Sequence, residues 1–279
     1  MKRKTLKAQY RQELAPRRGA GEAEALFHLV LEARGGVSRL QYMSDPEAAL
    51  PDELRRQLER DLASLRTDTP VQHLLGEVSF DGLTLAVGPG ALIPRPETEE
   101  LIWQLKQSWS FPPPQRILDV GTGTGCLALA CQAHWPQAAV LGLDKSADAL
   151  TLAAQNGQLN QLAVRWQQGN FLEAAERPAG PWDLILSNPP YVRPAEKARM
   201  EAQVWQHEPP EALFTPADDP LIFYRVMAET YPPPAPMALE LNRYTAGEAQ
   251  VLFEKAGHEA QLGTDSSGAQ RFLWVNFPL

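Results

Sequence analysis

From about residue 95 to the end of the chain, short apolar runs of strand length alternate with segments of helical periodicity. This alternation constrains the fold most, because it is typical of a doubly wound α/β domain with a mostly parallel sheet. Strands are predicted at residues 116–120, 139–143, 164–167, 184–187 and 237–241, and near 272–276. Such sheets bind ligands beyond the carboxyl ends of their strands, so a site is expected in the segments that follow these runs.

Residues 1–68 have a helical pattern and predict a separate small domain. One helix is predicted to end at Gly35-Gly36, because glycine is favoured just after a helix. Prolines predict two helix starts, at Asp45-Pro46 and at Pro51-Asp52. Leucines at helical spacing then predict the buried stripe of the last helix: Leu54, Leu58, Leu62 and Leu65.

The pattern changes at residues 69–94. Residues alternate in character on both sides of Asp81-Gly82, a turn pair that favours a two-residue hairpin loop. We therefore predict a β-hairpin here. We interpret it as a linker between the helical domain and the α/β domain at residues 95–279.

The formal net charge of −8 argues against one class of function. Proteins that bind duplex nucleic acid through its phosphates need a strongly basic surface, and the basic residues here form only short patches near the N-terminus. The charge therefore favours a small molecule or a protein partner over naked DNA.

The sequence also predicts a cytoplasmic protein without a bound metal. No run approaches the ~18 apolar residues of a membrane-spanning helix, and no apolar signal core follows the basic residues 2–4. The only two cysteines, Cys126 and Cys131, are interpreted as packing residues rather than as a disulfide or metal pair. The five histidines lack the spacing of metal ligands.

A glycine-rich turn stands between the predicted strand 116–120 and a predicted helix that begins at Cys126. It consists of Gly121, Thr122, Gly123, Thr124 and Gly125. Glycine permits a sharp turn and a close approach of a ligand to the backbone. The spacing differs from that of a dinucleotide fingerprint, and the lysine of a phosphate-binding P-loop is absent. The turn therefore favours a ligand without a pyrophosphate, although a plain strand-to-helix turn has the same pattern.

Three further residues are candidates for the same ligand. Asp144 ends the second predicted strand, where a carboxylate can accept hydrogen bonds from vicinal ribose hydroxyls. The alternative is that it caps the helix beginning near Ser146, and we favour the ribose role because of the glycine turn. Asn170 and Phe171 follow the third strand and could contact an adenine ring, or they could be loop and core residues.

The tetrapeptide Asn188-Pro189-Pro190-Tyr191 follows the fourth predicted strand. Asn188 offers a side-chain carbonyl to one N–H of a planar nitrogen, and the Pro189 carbonyl can accept the other. The proline pair stiffens the loop, and the Tyr191 ring could pack flat on the bound group. With the glycine turn upstream, these residues predict a methyl-transfer site with a sulfonium cofactor and a weakly nucleophilic nitrogen.

These motifs resemble those of the class I S-adenosylmethionine-dependent methyltransferases, and longer strings resemble the release factor glutamine methyltransferase (PrmC or HemK) family. The most specific strings are Ile-Pro-Arg-Pro-Glu-Thr-Glu at residues 93–99 and Asn-Pro-Pro-Tyr at 188–191. Further similarity lies at residues 70–72, 80–82, 117–125, 208–213 and 223–225. The sequence departs from the family pattern at His73, at Pro220 and around Asn242.

The resemblance implies transfer of a methyl group from S-adenosyl-L-methionine to the side-chain amide nitrogen of the glutamine in the Gly-Gly-Gln motif of class 1 peptide chain release factors. Cofactor binding is then expected of Gly121 to Gly125, Asp144, Asn170, Phe171 and Asn188. Substrate binding is expected of Asn188, Pro189, Pro190 and Tyr191. Catalysis is expected of Asn188, Pro189 and Tyr191. The helical domain would recognise the release factor, or it would only support the fold.

Three alternatives remain open at this point. The same tetrapeptide suits the exocyclic amine of adenine in DNA or RNA, reached by base flipping. A sister family methylates a glutamine of a ribosomal protein. A third possibility is a binding module without turnover, against which the complete set of motifs argues.

Overall fold

The computed structural model describes residues 1–200, 202–216 and 219–277. The chain divides into two compact units. The first consists of Met1–Gly76 together with Ala202–His207, and the second begins at Glu77 and contains the other described residues. In these described ranges, no helix is long and apolar enough to cross a membrane.

The first unit is helical. Its helices are α1 (Arg3–Arg18), α2 (Ala20–Gly35), α3 (Arg39–Ser44), α4 (Asp52–Arg66), α5 (Val71–Leu75) and the separate segment α9 (Ala202–His207). As predicted, α2 ends at Gly35-Gly36: Gly36 is the C-cap residue, and its φ of 62° lies in the left-handed region. Helix α4 begins after Pro51. The tyrosine Tyr10 donates a hydrogen bond to the carbonyl of Leu58 at 2.7 Å, which joins α1 to α4 inside the core.

The helix start predicted at Asp45-Pro46 is wrong, because Asp45 ends α3 instead. The capping box of Ser38 and Gln41 begins α3 earlier. The carbonyls of Pro46 and Ala48 then accept hydrogen bonds from the backbone amides of Lys4 and Arg3. These bonds hold the segment in a turn beside the N-terminus, so it does not enter a helix.

The first unit extends beyond residue 68, where the sequence pattern placed the domain end. Val71 of α5 is buried in the same hydrophobic cluster as Leu58, Leu62 and Leu65 of α4. Leu54, the fourth leucine of the predicted stripe, is half-buried against that cluster. Packing of α5 therefore moves the division of the chain to Gly76.

The second unit is built on a seven-stranded sheet. The strands are β3 (Arg116–Val120), β4 (Ala139–Asp144), β5 (Arg165–Gln168), β6 (Leu184–Ser187), β7 (Met237–Glu240), β8 (Ala260–Thr264) and β9 (Gln270–Val275). Their order in the sheet is β5-β4-β3-β6-β7-β9-β8. Strands β3 to β7 run parallel, and β8 and β9 are antiparallel to their neighbours. The predicted doubly wound, mostly parallel sheet is therefore confirmed.

Helices cover the sheet and form two hydrophobic clusters with it. The helices of the second unit are α6 (Pro96–Ser108), α7 (Cys126–His134), α8 (Ala147–Leu159), α10 (Pro210–Leu213), α11 (Ile222–Thr230) and α12 (Ala246–Lys255), with short 3-10 helices at Ala174–Glu176 and Pro194–Arg199. Residues of α6, α7, α11 and α12 belong to the two clusters. Ser146 caps α8 as predicted, because its side chain accepts a hydrogen bond from the Ala149 amide. Cys126 and Cys131 lie on α7 as free thiols.

The predicted hairpin is present as β1 (Glu77–Phe80) and β2 (Leu83–Ala86), and it packs on the sheet within the second unit. Phe80 and Leu85 are buried in the same hydrophobic cluster as Ile117 of β3. Asn156 of α8 accepts a hydrogen bond from the Ala86 amide at 2.7 Å and donates to the Ala86 carbonyl at 3.1 Å. The hairpin is therefore anchored to the sheet domain through both apolar and polar contacts.

We expect Asn156→Ala to lower the free energy of unfolding by about 1–3 kcal/mol, because it leaves buried backbone groups without partners. Asn156 is fully buried and also donates to the carbonyl of Thr124 at 2.9 Å. Asn160→Ala is the matched control, since Asn160 makes similar bonds to Thr84 in a half-exposed position where water can replace it. Urea unfolding of both variants gives the comparison, and equal losses would contradict a special role for Asn156.

Candidate active site

The glycine turn adopts a conformation that other residues rarely tolerate. Gly121, Gly123 and Gly125 have φ angles of 73°, 54° and 81°. The amides of Gly121 and Thr122 both donate to the carbonyl of Leu143 at the end of β4. A Cβ at position 125 would lie 2.8 Å from the Trp166 ring. The turn therefore requires glycine for its backbone angles and, at Gly125, for space.

A buried carboxylate supports this turn from inside the domain. Asp119 Oδ2 accepts hydrogen bonds from the Thr122 hydroxyl at 2.6 Å and from the Ala128 amide at 3.2 Å. Burial raises the pKa of Asp119 to about 7, although the hydrogen bonds from Thr122 and Ala128 oppose the shift. Asp119 thus holds the turn and the first turn of α7 together, a role that the sequence alone did not indicate.

Asp144 lies at the end of β4 and lines the same cavity as the glycine turn. Its Oδ2 accepts a hydrogen bond from the Gly123 amide at 2.9 Å, and its Oδ1 accepts one from the Ser146 amide at 2.9 Å. Each carboxylate oxygen can accept a second hydrogen bond. The carboxylate therefore supports the start of α8 and also lines the cavity, and its contact with a ribose stays a prediction.

Asn170 and Phe171 also lie in the wall of this cavity. Asn170 Oδ1 accepts a hydrogen bond from the Leu172 amide at 3.1 Å, which is a local turn contact. Phe171 is buried and stacks on Tyr231, with ring centroids 6.1 Å apart. Each residue thus has the structural role that the sequence left open, and each also reaches the cavity.

One cavity joins the cofactor motifs to the acceptor motif. Its wall includes the glycine turn from Gly121 to Thr124, Asp144 and Lys145, together with Asn188, Pro189 and Pro190; Gly125 is not among the lining residues. Arg95 also lines it, and its guanidinium pairs with the buried carboxylate of Glu208. Because β3, β4 and β6 are parallel, the segments that follow them meet at one edge of the sheet.

Asn188 is held by a chain of hydrogen bonds that crosses from β6 to β7. Its Nδ2 donates to Thr98 Oγ1 at 3.1 Å, and the Thr98 hydroxyl donates to Glu240 Oε2 at 2.6 Å. The Tyr191 hydroxyl donates to Glu240 Oε1 at 2.8 Å. Thr98 and Glu240 are each 1% exposed, so water does not compete for these bonds.

The ring of Tyr191 is held by packing and by one hydrogen bond. It packs against the second hydrophobic cluster and is half-buried, and among the described residues the cavity wall does not include it. Burial, together with the charge of Glu240 and the hydrogen bond to it, raises the pKa of Tyr191, so the phenol stays protonated and donates. The contact of its ring with a planar amide stays a prediction.

The side chain of Asn242 binds the backbone of the Asn-Pro-Pro-Tyr loop. It is buried, and its Nδ2 donates to the Tyr191 carbonyl at 2.9 Å and to the Glu196 carboxylate at 3.2 Å. The sequence had marked the region around Asn242 only as a departure from the family pattern. Thr98, Glu240 and Asn242 are therefore supporting residues that sequence reasoning missed. A signal was present for Glu240, which ends a strand next to the one before Asn188.

Within the described residues, no group of three or more histidine, cysteine, aspartate or glutamate side chains is arranged to hold a metal ion.

A parallel sheet with a glycine turn after β3, a carboxylate ending β4 and Asn-Pro-Pro-Tyr after β6 defines a methyltransferase. Family models match on both units: a PrmC N-terminal domain at residues 6–76 and a methyltransferase small domain at residues 97–214. The chain belongs to the release factor glutamine methyltransferase family.

Two relatives cover nearly the whole chain. A release factor glutamine methyltransferase of Flavobacterium psychrophilum is 35% identical over 98% of this chain and 99% of its own length. One of Deinococcus radiodurans is 34% identical over 92% of each chain. Among solved structures, a methyltransferase from Pyrococcus furiosus aligns with a TM-score of 0.52 at 16% identity, over 82% of this chain and 100% of that one. That likeness supports the fold alone.

Proposed function

We propose that this chain transfers a methyl group from S-adenosyl-L-methionine to the side-chain amide nitrogen (N5) of the glutamine in the Gly-Gly-Gln motif of class 1 peptide chain release factors. The observation that carries the proposal is the shared cavity, whose wall contains the glycine turn and Asp144 together with Asn188 and Pro189. The names of the relatives, release factor glutamine methyltransferases, support the choice of substrate.

The cavity suits the proposed cofactor. Gly121 to Gly125 would allow the ligand to approach the backbone, and Asp144 would accept hydrogen bonds from the ribose hydroxyls through its remaining lone pairs. Asn170 and Phe171 would border the adenine. Asn188 lines the same cavity as Asp144, so it would contact both the cofactor and the acceptor. When bound there, S-adenosylmethionine supplies an activated methyl group on its sulfonium centre.

An amide nitrogen is a poor nucleophile because its lone pair is delocalised into the carbonyl. Asn188 Oδ1 and the Pro189 carbonyl would accept its two N–H bonds and so orient the lone pair towards the methyl group. Both acceptors are fixed in advance, since Pro189 is buried and stiff and Asn188 is hydrogen-bonded to Thr98. They also stabilise the positive charge that develops on nitrogen. No strong base is needed, because the protonated, methylated amide is very acidic.

The helical unit has a proposed role in recognition. A release factor is much larger than the glutamine pocket, so a second surface is needed to hold it. The helices of the first unit would provide that surface, and the alternative is that they only support the fold. The reaction would take place in the cytoplasm, where release factors act.

The test is mass spectrometry of a class 1 release factor after incubation with the enzyme and S-adenosylmethionine. We expect the mass of one methyl group on the glutamine of the Gly-Gly-Gln peptide, and none on a release factor whose glutamine is replaced by glutamate. Ribosomal proteins are added to the same reaction to test whether the enzyme methylates a glutamine of a ribosomal protein instead. Methylation of a ribosomal protein with an unmodified release factor would overturn the proposed substrate.

Methyl transfer to DNA is expected to be undetectable beside transfer to protein. The chain has a net charge of −8, and DNA binding through phosphates requires basic surface. Incubation with radiolabelled cofactor, DNA and release factor, followed by separation of nucleic acid from protein, measures both products. Label in adenine rather than in protein would favour a base-modifying enzyme.

A further inference from the structure

The direction of each hydrogen bond in the chain from Asn188 to Glu240 can be derived from its chemistry. Glu240 accepts from two hydroxyls, that of Thr98 on Oε2 and that of Tyr191 on Oε1. An ionised carboxylate only accepts. Burial raises the pKa of Glu240, and the bonds from Thr98 and Tyr191 and the charge of Arg271 oppose this shift without cancelling it. The geometry sets the direction of the bonds, because each carboxylate oxygen has one hydroxyl in contact with it and accepts that bond.

The Thr98 hydroxyl has a single proton, and that proton is committed to Glu240. Its oxygen can therefore only accept from Asn188, which must turn its NH₂ group towards Thr98. The amide of Asn188 is planar, so its Oδ1 lies at the opposite end. Asn188 itself is half-buried in the cavity wall, and within the described part of the chain its side chain makes only the bond to Thr98, which leaves Oδ1 able to accept another.

We infer that Thr98 and Glu240 are positioning residues that fix the side-chain amide of Asn188 with its carbonyl oxygen towards the acceptor nitrogen. The inference rests on the proposed function, because only an acceptor with N–H groups requires this orientation. A reversed Asn188 would present NH₂ to the NH₂ of the substrate, and two donors cannot form a hydrogen bond. Thr98 lies 90 positions before Asn188, and Glu240 lies 142 positions after Thr98. The tertiary fold therefore brings together the residues of this hydrogen-bond chain.

Thr98→Val tests the first link, because valine has nearly the shape of threonine but no hydroxyl. We expect the single-turnover rate of methyl transfer to fall by ~10- to 10²-fold, the scale of effect that misplaced reacting groups produce. The affinity for S-adenosylmethionine, measured by calorimetric titration, should stay within about threefold. Thr98→Ser is the matched variant, since it keeps the hydroxyl, and it should recover most of the rate.

A double-mutant cycle separates positioning from general damage to the fold. If Thr98 acts through Asn188, then Thr98→Val should cause little further loss in a protein that already carries Asn188→Ala. Independent losses that multiply would overturn the inference, and so would a Thr98→Val rate equal to the parent rate. Thermal unfolding of each variant identifies any variant that folds poorly. If Thr98→Val is one of them, the comparison is made between the methyl-transfer rates of Thr98→Ser and the parent.

A readout without turnover keeps the inference distinct from the proposed function. The side-chain NH₂ signals of Asn188 in an ¹⁵N-labelled sample, identified by their loss in Asn188→Ala, should move in Thr98→Val and in Glu240→Gln but remain nearly unchanged in Thr98→Ser. Unmoved signals in Thr98→Val would overturn the orientation even if the parent methylates release factors. Moved signals with no methylation by the parent protein would leave the orientation intact and overturn the function.

Discussion

Asn188→Ala is expected to lower the single-turnover rate of methyl transfer by ~10²–10³, the usual effect of removing one fixed polar partner from a dry site. The affinity for S-adenosylmethionine should change little, because the amide of Asn188 is hydrogen-bonded to Thr98 and is proposed to contact chiefly the acceptor amide. Alanine removes the acceptor for one substrate N–H and leaves the backbone carbonyl of Pro189 in place. Methyl transfer to a release factor and calorimetric cofactor titration on the same samples separate chemistry from binding.

Asn188→Asp is the companion variant, because it keeps the size and one acceptor oxygen. In its ionised form it cannot donate to Thr98, and it adds a negative charge two hydrogen bonds away from Glu240. We expect it to retain more activity than alanine but less than the parent, with one of the two carboxyls favouring protonation. A parent-like rate in Asn188→Ala would show that Asn-Pro-Pro-Tyr is merely a structural turn.

The sequence allowed the parallel sheet to be predicted because its central strands are short, apolar and bounded by clear turns. β6 is buried at all four residues, and its predicted bounds match those in the structure. β8 escaped prediction because it lies at the edge of the sheet, is only partly buried and contains Gly263 beside an irregularity in its pairing. Such a strand is specified by its pairing with β9 more than by its own residues.

The same distinction holds for the candidate site. Gly121 to Gly125 and Asp144 could be proposed from local sequence, because each requirement is a backbone angle or a position at a strand end. The support of Asn188 could not, since its partners come from α6 and β7 and have no local pattern that links them. The direction of the Tyr191 ring was likewise decided by tertiary contacts, namely the bond to Glu240 and the packing on the second cluster.

The other large effect is expected at Asp144, where alanine should weaken S-adenosylmethionine binding by about 1–3 kcal/mol, or about 5- to 150-fold in affinity. Two losses combine, because the carboxylate is the proposed ribose acceptor and also binds the amides of Gly123 and Ser146. Asp148→Ala is the matched control. This variant removes an exposed carboxylate from the first turn of α8, the helix that begins just after Asp144. Calorimetric titration should give it a cofactor affinity close to that of the parent.

The two contributions of Asp144 can be separated by changing the ligand. If the carboxylate binds the ribose hydroxyls, a 2′-deoxy analogue of S-adenosylhomocysteine should bind the parent more weakly than S-adenosylhomocysteine does, and this difference should largely vanish in Asp144→Ala. If Asp144 only supports the glycine turn, Asp144→Ala should weaken the binding of S-adenosylhomocysteine and of its 2′-deoxy analogue by the same factor. Unchanged affinity of Asp144→Ala for S-adenosylmethionine would remove Asp144 from the cofactor site and leave only its contacts with Gly123 and the start of α8.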